Sequence, residues 1–342
     1  MPKVAVVILN WNGRKFLEQF LPALVLHTQD DAELVIADNA STDDSLDFLA
    51  QFYPGIRIII NKENGGFSKG YNDALAQIEA DYYVLLNSDI EVSAGWIPPL
   101  LKLMESDPKI AACQPKLLSF FEKTQFEYAG GAGGFIDKFG YPFCRGRVFQ
   151  TIEQDHGQYD QITEIFWATG ACMFVRADLY HQFGGLDNDF FAHMEEIDIC
   201  WRLKNSGYKI MYCPDSIVYH VGGGTLPKIS SRKTFLNFRN NLILLYKNLP
   251  KRQIIQVFVA RLIMDFIASI KFLMEGHSSD FKAVFKAYVR FYASLSSNKI
   301  KRKRIKHKTV GQIYMKSLVI DYFIRKKKYY SDLDKDRFYI EP

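Results

Sequence analysis

The chain has 342 residues, 48% of them hydrophobic and 24% charged, which excludes a disordered or fibrous protein and allows one large domain or two. Its net charge of +5 conceals an asymmetry: residues 1–225 carry 17 Lys and Arg against 30 Asp and Glu (net −13), and residues 226–342 carry 26 against 8 (net +18). Five scattered cysteines without a C-x-x-C pair argue against a disulfide framework or zinc site and suit reduced thiols in a cytoplasm.

The first hundred residues alternate predicted strands and helices. The chain opens with a strand over Val4–Leu9 and has none of the features of a secretory signal. Strands follow at Glu33–Ala37, Ile56–Ile60 and Tyr82–Leu86, and helices at Arg14–Leu26, Asp43–Gln51 (capped by Ser41 or Thr42) and Ser68–Ile78. This βαβαβαβ order predicts a parallel, doubly wound α/β sheet, on which ligands bind beyond the carboxyl ends of the strands.

Each of these four strands ends in polar, loop-forming residues. The endings are Asn10–Gly13, Asp38–Asp43, Asn61–Gly66 and Asn87–Asp89. One such ending is an ordinary turn, but four at one edge of a sheet predict a binding site. No G-x-G-x-x-G follows the first strand and no P-loop motif is present, so the site is of neither of those two kinds.

From residue 93 the pattern is less regular. Trp96–Glu105 is a predicted helix, and the glycine-rich stretch EYAGGAGGFIDKFGYPFCRGR is expected to form a loop or hairpin over the site. Further strands are predicted at Ala171–Val175, Lys209–Cys213 and Ile217–His220, and helices at Arg176–Phe183 and Glu195–Ser206.

The basic final third contains amphipathic helices. KRQIIQVFVARLIMDFIASIKFLM has too many internal charges for a transmembrane helix. One charge-free stripe runs along it, formed by Ile255, Val259, Leu262, Phe266, Ile270 and Leu273. With the cations of FKAVFKAYVRFY and NKIKRKRIKHK, residues 251–308 suit an anionic membrane surface. The alternative is a helical subdomain docked on the core, and nucleic acid is not expected because no recognition module is present.

Six motifs, in the expected order and spacing, together resemble an inverting family 2 glycosyltransferase with the GT-A fold. They are VVILNWNG, ADNASTDDS, NGGFSKGYN, LLNSD, GLDNDFFAHMEEIDICWR and YHVGGGT. The resemblance runs from about Val4 to about Pro250, and FRNNLILLYKNLP resembles the rhamnosyltransferase-like branch, which builds cell-surface polysaccharides. It implies a GT-A catalytic domain over residues 1–225 (donor half 1–92, acceptor half 93–225), followed by a helical basic C-terminal region over 226–342.

The resemblance also implies a nucleotide-sugar donor and a divalent cation, Mn²⁺ or Mg²⁺, which stabilises the charge of the leaving diphosphate. Asp89 is the expected oxygen ligand, and His220 is placed to complete the metal site. Asn87 stands where the family often has an aspartate. This departure should weaken metal binding, because a carbonyl replaces a carboxylate.

The same resemblance assigns the donor contacts. Asp38 is expected to accept a hydrogen bond from N3–H of uracil or thymine, so the donor would be a UDP- or dTDP-sugar, dTDP-rhamnose included. Asn10 and Asn12 would close the other side of the nucleoside. The stretch NGGFSKGYN would bring four residues near the ribose or sugar: Asn64, Gly66, Lys69 and Asn72. For Lys69, a solvated helix lysine is the alternative.

Direct displacement at the anomeric carbon needs a base to take the proton of the acceptor hydroxyl. The base of the family's motif maps onto Glu196, with Glu195 or Asp198 as alternatives, since crowded carboxylates raise one another's pKa. Arg202 is expected to orient one of these carboxylates on the acceptor side or to form a surface salt bridge. Trp167 would stack on an acceptor sugar at the rim or pack in the core.

The expected function is thus metal-dependent, inverting transfer of a sugar to a hydroxyl of a glycan or polyprenyl-linked glycan. The expected place is the cytoplasm or the cytoplasmic face of the inner membrane. Two alternatives stay open. A sugar nucleotidyltransferase usually needs a glycine-rich loop with Arg and Lys after the first strand, of which NWNGRKF is a poor version. A non-catalytic sugar-binding subunit would not need Asp89, His220 and Glu196 together.

Overall fold

The computed structural model of the protein describes residues 3–222 and 230–340. In its first part, strands and helices alternate as the sequence predicts. The strands are β1 (Val4–Asn10), β2 (Glu33–Asp38), β3 (Arg57–Ile60) and β4 (Tyr82–Asn87), and the helices are α1 (Arg14–Thr28), α2 (Ser45–Phe52) and α3 (Gly66–Leu75).

These four strands are all parallel and lie in the order β3-β2-β1-β4. Their register pairs Asn10 with Asp38 and Leu9 with Asn87. Val6 and Val84 are fully buried, as expected for strands of a sheet covered on both faces. The polar ends of the strands therefore meet at one edge, as predicted.

The chain continues through β5 (Ile90–Val92), α4 (Ile97–Ser106) and β6 (Ile110–Ser119) into the glycine-rich stretch. Four short strands follow there: β7 (Gly134–Asp137), β8 (Pro142–Cys144), β9 (Arg147–Val148) and β10 (Thr151–Ile152). β7 and β8 form the expected hairpin, but most of its residues are buried. The stretch is therefore part of the core and not an open loop.

The remaining elements up to residue 220 are β11 (Thr163–Ile165), β12 (Cys172–Arg176), α5 (Ala177–Gln182), α6 (Glu195–Asn205) and β13 (Lys209–His220). β12 is antiparallel to β4 and β6, whereas β13 is parallel to β6. Over the described residues the central sheet has nine strands. The two strands predicted at 209–213 and 217–220 form one strand, with an irregularity between Cys213 and Ile217.

The basic final third packs against the part of the chain that contains the central sheet. It contains α7 (Ser231–Asn248), α8 (Lys251–Met274), α9 (Ser278–Ala293), α10 (Leu295–Lys303) and β14 (Ile313–Tyr314). β14 pairs with β7, and Leu245, Phe291 and Tyr314 share one hydrophobic core with Phe166 and Trp201. The region is therefore a subdomain docked on the core. The domain boundary predicted at residue 225 lies outside the described residues and stays a prediction.

Helix α8 buries an ion pair and exposes an apolar stripe. Arg261 and Asp265 are buried and joined by two hydrogen bonds of 3.2 and 3.1 Å, whereas every residue of the predicted apolar stripe is at least 37% exposed. Tyr141 and Tyr288 donate to the two oxygens of Asp265, at 2.9 and 2.8 Å. In the two described ranges, no helix is long and apolar enough to cross a membrane.

Candidate active site

A polar network ties the ends of β1 and β2 together. Asn10 Nδ2 donates to Asp38 Oδ2 (3.1 Å) and Ser41 Oγ (3.2 Å), and Asp38 Oδ1 accepts from the backbone N–H of Ser41 (2.9 Å). Asn10 and Asp38 are fully buried. Because Ser41 belongs to this network, the predicted cap of α2 is wrong: the helix begins at Ser45 without a side-chain cap.

Asn12 is the exposed residue of the three predicted to contact the nucleoside. Its φ of 52° lies in the left-handed region, which asparagine tolerates better than most residues. Its Oδ1 accepts from the backbone N–H groups of Thr42 (2.7 Å) and Asp43 (3.3 Å). Asn12 therefore fixes the β2–α2 loop against the end of β1.

Three asparagines link the ends of β2 and β3, and sequence reasoning assigned a role to only one of them. Asn61 Nδ2 donates to Asn39 Oδ1 (3.1 Å), and Asn39 Nδ2 donates to Asn64 Oδ1 (3.0 Å). Asn39 and Asn61 are buried, whereas Asn64 is exposed. The signal that could have found the two missed residues was their place in the polar strand endings.

Gly66 allows a close approach by another loop of the protein. Its φ is +80°, and a Cβ at this position would lie 2.6 Å from the carbonyl oxygen of Phe191. That carbonyl accepts from the backbone N–H groups of Phe67 (2.7 Å) and Ser68 (3.3 Å) at the start of α3. Gly66 was expected to let the donor approach the backbone closely. In the structure, the group that approaches it is Phe191, which corrects this interpretation.

Asn72 holds the loop between α5 and α6. Its Nδ2 donates to the carbonyl of Leu186 (2.6 Å) and to Asn188 Oδ1 (2.7 Å), while its Oδ1 accepts from the Tyr180 hydroxyl (2.6 Å). Its amide is therefore engaged by the protein, which contradicts the predicted donor contact.

Lys69 forms an ion pair on α3. Its ammonium bonds Asp73 one turn further on and lies 3.7 Å from Glu63. The hydrogen bond to Asp73 raises the pKa of Lys69. The side chain stays about a third exposed, so a donor contact remains a prediction for this residue.

Asp89 and His220 meet at the end of β4, as predicted. His220 Nε2 lies 3.1 Å from Asp89 Oδ1 and 3.4 Å from Asn87 Nδ2. The other ring nitrogen, Nδ1, lies 3.3 Å from Glu127 Oε1. Sequence reasoning missed Glu127, which stands at the start of the glycine-rich stretch, because nothing local distinguishes it from an ordinary loop glutamate.

The positive charge of His220 and the negative charges of its carboxylate neighbours stabilise one another. Burial opposes a charge on His220, but the carboxylates of Glu127 and Asp89 outweigh it and raise the pKa of His220 to about 10. Burial likewise raises the pKa of Asp89, but the hydrogen bond and charge of His220 outweigh it, so that the net shift is downward.

These residues fit a divalent cation. A carboxylate oxygen and an imidazole nitrogen converge, and the carboxylate on Nδ1 is the usual support for a histidine that binds a metal. Among the described residues, no three or more His, Cys, Asp or Glu side chains form a ready cage. A cation on Asp89 and His220 would therefore need further ligands, such as the phosphates of a donor.

Glu195 and Glu196 begin α6 after a strained loop in which Phe191, His193 and Met194 have φ values of 64°, 70° and 75°. Such strain is concentrated at functional sites. Glu196 is partly exposed, Glu195 is buried, and each has one oxygen, Oε2, without a hydrogen-bond partner. Burial raises the pKa of Glu196 to about 7, and burial together with the charge of Glu196 holds the pKa of Glu195 well above its usual value.

Asp198 belongs to a buried ion network, which makes it a poor base. It accepts from Arg202 Nε (2.8 Å), Lys247 Nζ (2.9 Å) and Asn248 Nδ2 (2.8 Å). Burial raises its pKa, but Lys247 and Arg202 outweigh burial and lower it. The other nitrogens of Arg202 donate to two backbone carbonyls. Arg202 thus orients Asp198 inside the core and is neither an acceptor contact nor a surface salt bridge.

Trp167 lies in the core and not at the rim. It is 3% exposed, and its indole N–H donates to the carbonyl of Phe135 (2.9 Å). The ring packs so closely on Gly134 that a Cβ there would lie 2.1 Å from it. The expected stacking surface for an acceptor sugar is therefore wrong, and the packing alternative is confirmed.

Helix α7 pins the loop that leads into Glu196, a role that sequence reasoning did not predict. Asn240 Nδ2 lies 2.8–2.9 Å from the carbonyl oxygens of Phe190, Ala192 and His193. Arg239 Nη2 donates to the carbonyl of Asp189 (2.8 Å). The FRNN segment of α7 therefore positions the strained loop, in addition to resembling the rhamnosyltransferase-like branch of the family.

The fold and the strand-end site together define a GT-A-type glycosyltransferase. The sequence model of glycosyl transferase family 2 matches residues 5–184, more than half of the chain, so the chain belongs to this family.

The names of two related proteins narrow the class of glycosyltransferase. The N-acetylglucosaminyl-diphospho-decaprenol L-rhamnosyltransferase of Mycobacterium tuberculosis (H37Rv) is 26% identical over 230 residues, 63% of this chain and 75% of the relative. Rhamnosyltransferase WbbL of Escherichia coli K12 is 23% identical over 220 residues, 62% of this chain and 80% of the relative. The family and these relatives support a hexosyl- or rhamnosyltransferase over the nucleotidyltransferase and binding-subunit alternatives.

A solved structure has the same fold. GalNAc-T7 with UDP, GalNAc and Mn²⁺ superposes with a TM-score of 0.58 at 15% identity, over 87% of this chain and 58% of that one.

Proposed function

We propose that this enzyme transfers a sugar, with inversion and in the presence of a divalent cation, from a UDP- or dTDP-sugar to a hydroxyl of a lipid-linked glycan. The names of two relatives favour rhamnose as the sugar. The name of the M. tuberculosis relative favours a polyprenyl-diphosphate-linked acceptor. For the nucleoside and sugar of the donor we retain five contacts as proposals: Asn10, Asn12, Asp38, Asn64 and Lys69.

The observation that carries the proposal is the state of Glu196. The residue is partly exposed, one of its carboxylate oxygens is buried without a hydrogen-bond partner, and burial raises its pKa to about 7. Near neutral pH such a group can accept a proton and later release it. Burial and the charge of Glu196 hold the pKa of Glu195 well above its usual value, which disfavours a second negative charge beside Glu196.

In the proposed reaction, Glu196 takes the proton of the acceptor hydroxyl while the oxygen bonds to the anomeric carbon. The bond from that carbon to the diphosphate oxygen breaks, and the nucleoside diphosphate leaves from the opposite face. Attack and departure on opposite faces invert the configuration. Glu196 then returns its proton to solvent.

Asp89 and His220 would hold the divalent cation, with Asn87 beside them and Glu127 orienting His220. When bound, the ion would supply positive charge to the leaving diphosphate. The Mn²⁺ in the structure of GalNAc-T7 favours Mn²⁺, with Mg²⁺ as the alternative.

We also propose that the exposed apolar stripe of α8 rests on an anionic membrane. A soluble surface rarely exposes so continuous an apolar face. Exposed cations stand at the start of the helix, at Lys251 and Arg252, and they complement anionic lipid. The five cysteines are all buried and unpaired, which favours the cytoplasmic face of that membrane.

The test incubates the full chain with dTDP-rhamnose or UDP-sugars, a polyprenyl-diphosphate-linked N-acetylglucosamine, and Mn²⁺, Mg²⁺ or EDTA. We expect release of nucleoside diphosphate, dependence on the cation, and a product whose anomeric configuration in NMR is opposite to that of the donor. Retained configuration, or full activity in EDTA, would contradict the corresponding part of the proposal.

A further inference from the structure

A basic cavity lies between α7, α9 and the strained loop. Its volume is about 620 Å³. Arg232 and Arg239 of α7, Lys282 and Lys286 of α9, and Phe191 of the loop contribute to its lining, which contains no acidic residue among the described ones. Four cations around one cavity create a strongly positive site.

Three of these cations are available to a ligand. Within residues 3–222 and 230–340, Arg232, Lys282 and Lys286 make no hydrogen bond or ion pair; Arg232 lies 4.9 Å from the ring centre of Phe191, and Lys286 lies 5.4 Å from that of Phe235. Arg239, in contrast, is used by the loop.

Neither of the nearby carboxylates, Asp280 and Asp189, forms an ion pair with Arg232, Lys282 or Lys286. Asp280 accepts from the Thr234 hydroxyl (2.5 Å), and Asp189 pairs with Lys301 (2.6 Å). An uncompensated group of one Arg and two Lys suits an anion with several oxygens, such as a diphosphate.

The position of the cavity connects the reaction site with the apolar surface. Phe191 lines it, and the same residue lies in the strained loop, five positions before Glu196. On α9, Lys282 and Lys286 are three positions before Phe285 and Val289, and residues at this spacing are neighbours on a helix. Phe285 and Val289 are 46% and 67% exposed, and α9 packs against α8, which carries the apolar stripe.

From this arrangement we infer that the cavity binds the diphosphate of a lipid-linked acceptor through Arg232, Lys282 and Lys286, with its hydrocarbon chain along the exposed apolar residues of α9 and α8. The inference rests on the proposed function for the identity of the acceptor. It assigns a separate anion site to the acceptor, away from the Asp89–His220 cluster proposed for the donor.

The test uses the full chain and two acceptors, farnesyl-diphosphate-linked N-acetylglucosamine and its neutral octyl glycoside. In the variant Lys282→Gln/Lys286→Gln, we expect the ratio of kcat/KM for the diphosphate acceptor to that for the octyl glycoside to fall at least tenfold. Lys15→Gln/Lys102→Gln removes two exposed lysines from α1 and α4 and should change the ratio less than twofold. An equal fall for both acceptors, or for both variants, would overturn the inference.

Direct binding separates this inference from the proposed function. Calorimetric titration with farnesyl diphosphate should show binding to the wild type and at least tenfold weaker binding to Lys282→Gln/Lys286→Gln. If this holds while no sugar is transferred, the diphosphate site stands and the proposed function fails. If the variant instead loses only its binding to phosphatidylglycerol vesicles, the cavity holds phospholipid head groups and the inference is wrong.

Discussion

Lys247 Nζ lies 2.5 Å from Asp187 and 2.9 Å from Asp198, and the side chains of all three residues are less than a tenth exposed. Lys247 belongs to the basic final third, and both aspartates flank the loop before Glu196. Opposite charges of the basic and the acidic region are thus paired inside the protein. This ion network holds α7 against α6.

Replacing Lys247 by Met should destabilise the fold, because both aspartates would remain buried with less compensation. Loss of one partner from a buried ion pair costs about 3–5 kcal/mol. Chemical denaturation would measure the change in the free energy of unfolding. Lys303→Met removes an exposed lysine of α10 and should have little effect, and an equal loss in both variants would contradict the role of the pair.

The same network predicts a pH dependence. Burial raises the pKa values of Asp187 and Asp198, but Lys247 and its basic neighbours outweigh it and lower both. The ionised aspartates therefore add stability above their unfolded pKa, and this contribution is lost as the pH falls through their folded values. In acid, the stability of Lys247→Met should fall less steeply than that of the wild type.

Asn240→Ala should loosen the strained loop. It removes the donor shared by three buried or partly buried carbonyl groups, and an unsatisfied buried acceptor costs about 1–3 kcal/mol. We expect lower stability in denaturation and a lower kcat, since the loop positions Glu196. Asn237→Ala on the same helix is the matched control, and equal effects of the two variants would show that the loop contacts are unimportant.

The alternation of the first hundred residues was sufficient to predict the parallel half of the sheet. Its strands agree with the prediction to within one residue at each end, because each strand is a buried apolar run whose limits are marked by polar residues. The final third was harder to predict. Nothing local indicated that β14 would pair with β7, or that α8 would bury Arg261 and Asp265, since both depend on partners more than a hundred residues away.

The candidate site likewise contains some residues whose roles the sequence could predict and others whose roles it could not. The family resemblance was enough to predict that Asp89 and His220 meet, and both indeed stand at strand ends of one sheet. It could not separate Glu196 from Asp198, whose difference comes from Lys247 and Asn248 on another helix. Gly66 and Asn72 were misinterpreted for a related reason: their partners lie in the loop before α6, whose path no local pattern predicts.

The Asp89–His220 cluster predicts opposite outcomes for two neighbouring substitutions. Asp89→Ala should abolish transfer, because it removes the proposed oxygen ligand, whereas Asn87→Asp should preserve activity or tighten metal binding, because a carboxylate replaces an amide. Mn²⁺ titrations of activity, with circular dichroism as the folding control, would measure both. Full activity of Asp89→Ala at saturating donor would remove Asp89 from the proposed mechanism.

The apolar stripe of α8 can be tested by replacing Leu262 and Phe266 with Ser. Each buried side chain is worth about 1.5–3 kcal/mol, so binding to vesicles containing phosphatidylglycerol should drop at least tenfold. Added salt should weaken the binding of the wild type, because the cations contribute. Leu26→Ser, an exposed leucine on α1, is the control. If the stripe instead joins two copies of the chain, Leu262→Ser/Phe266→Ser would break a dimer and leave vesicle binding unchanged.

The central claim is that Glu196 is the base, and the pH dependence of kcat/KM tests it most directly. A base must be ionised to act, so the rate of the wild type should fall as the pH drops below about 7, the pKa to which burial raises Glu196. Glu196→Gln should lower kcat by about 10²–10⁴-fold and abolish this pH dependence, with little change in nucleotide affinity. Glu195→Gln should have a smaller effect, since Glu195 is buried and its raised pKa disfavours its charged form. Normal turnover of Glu196→Gln, or an unchanged pH profile in that variant, would contradict the account.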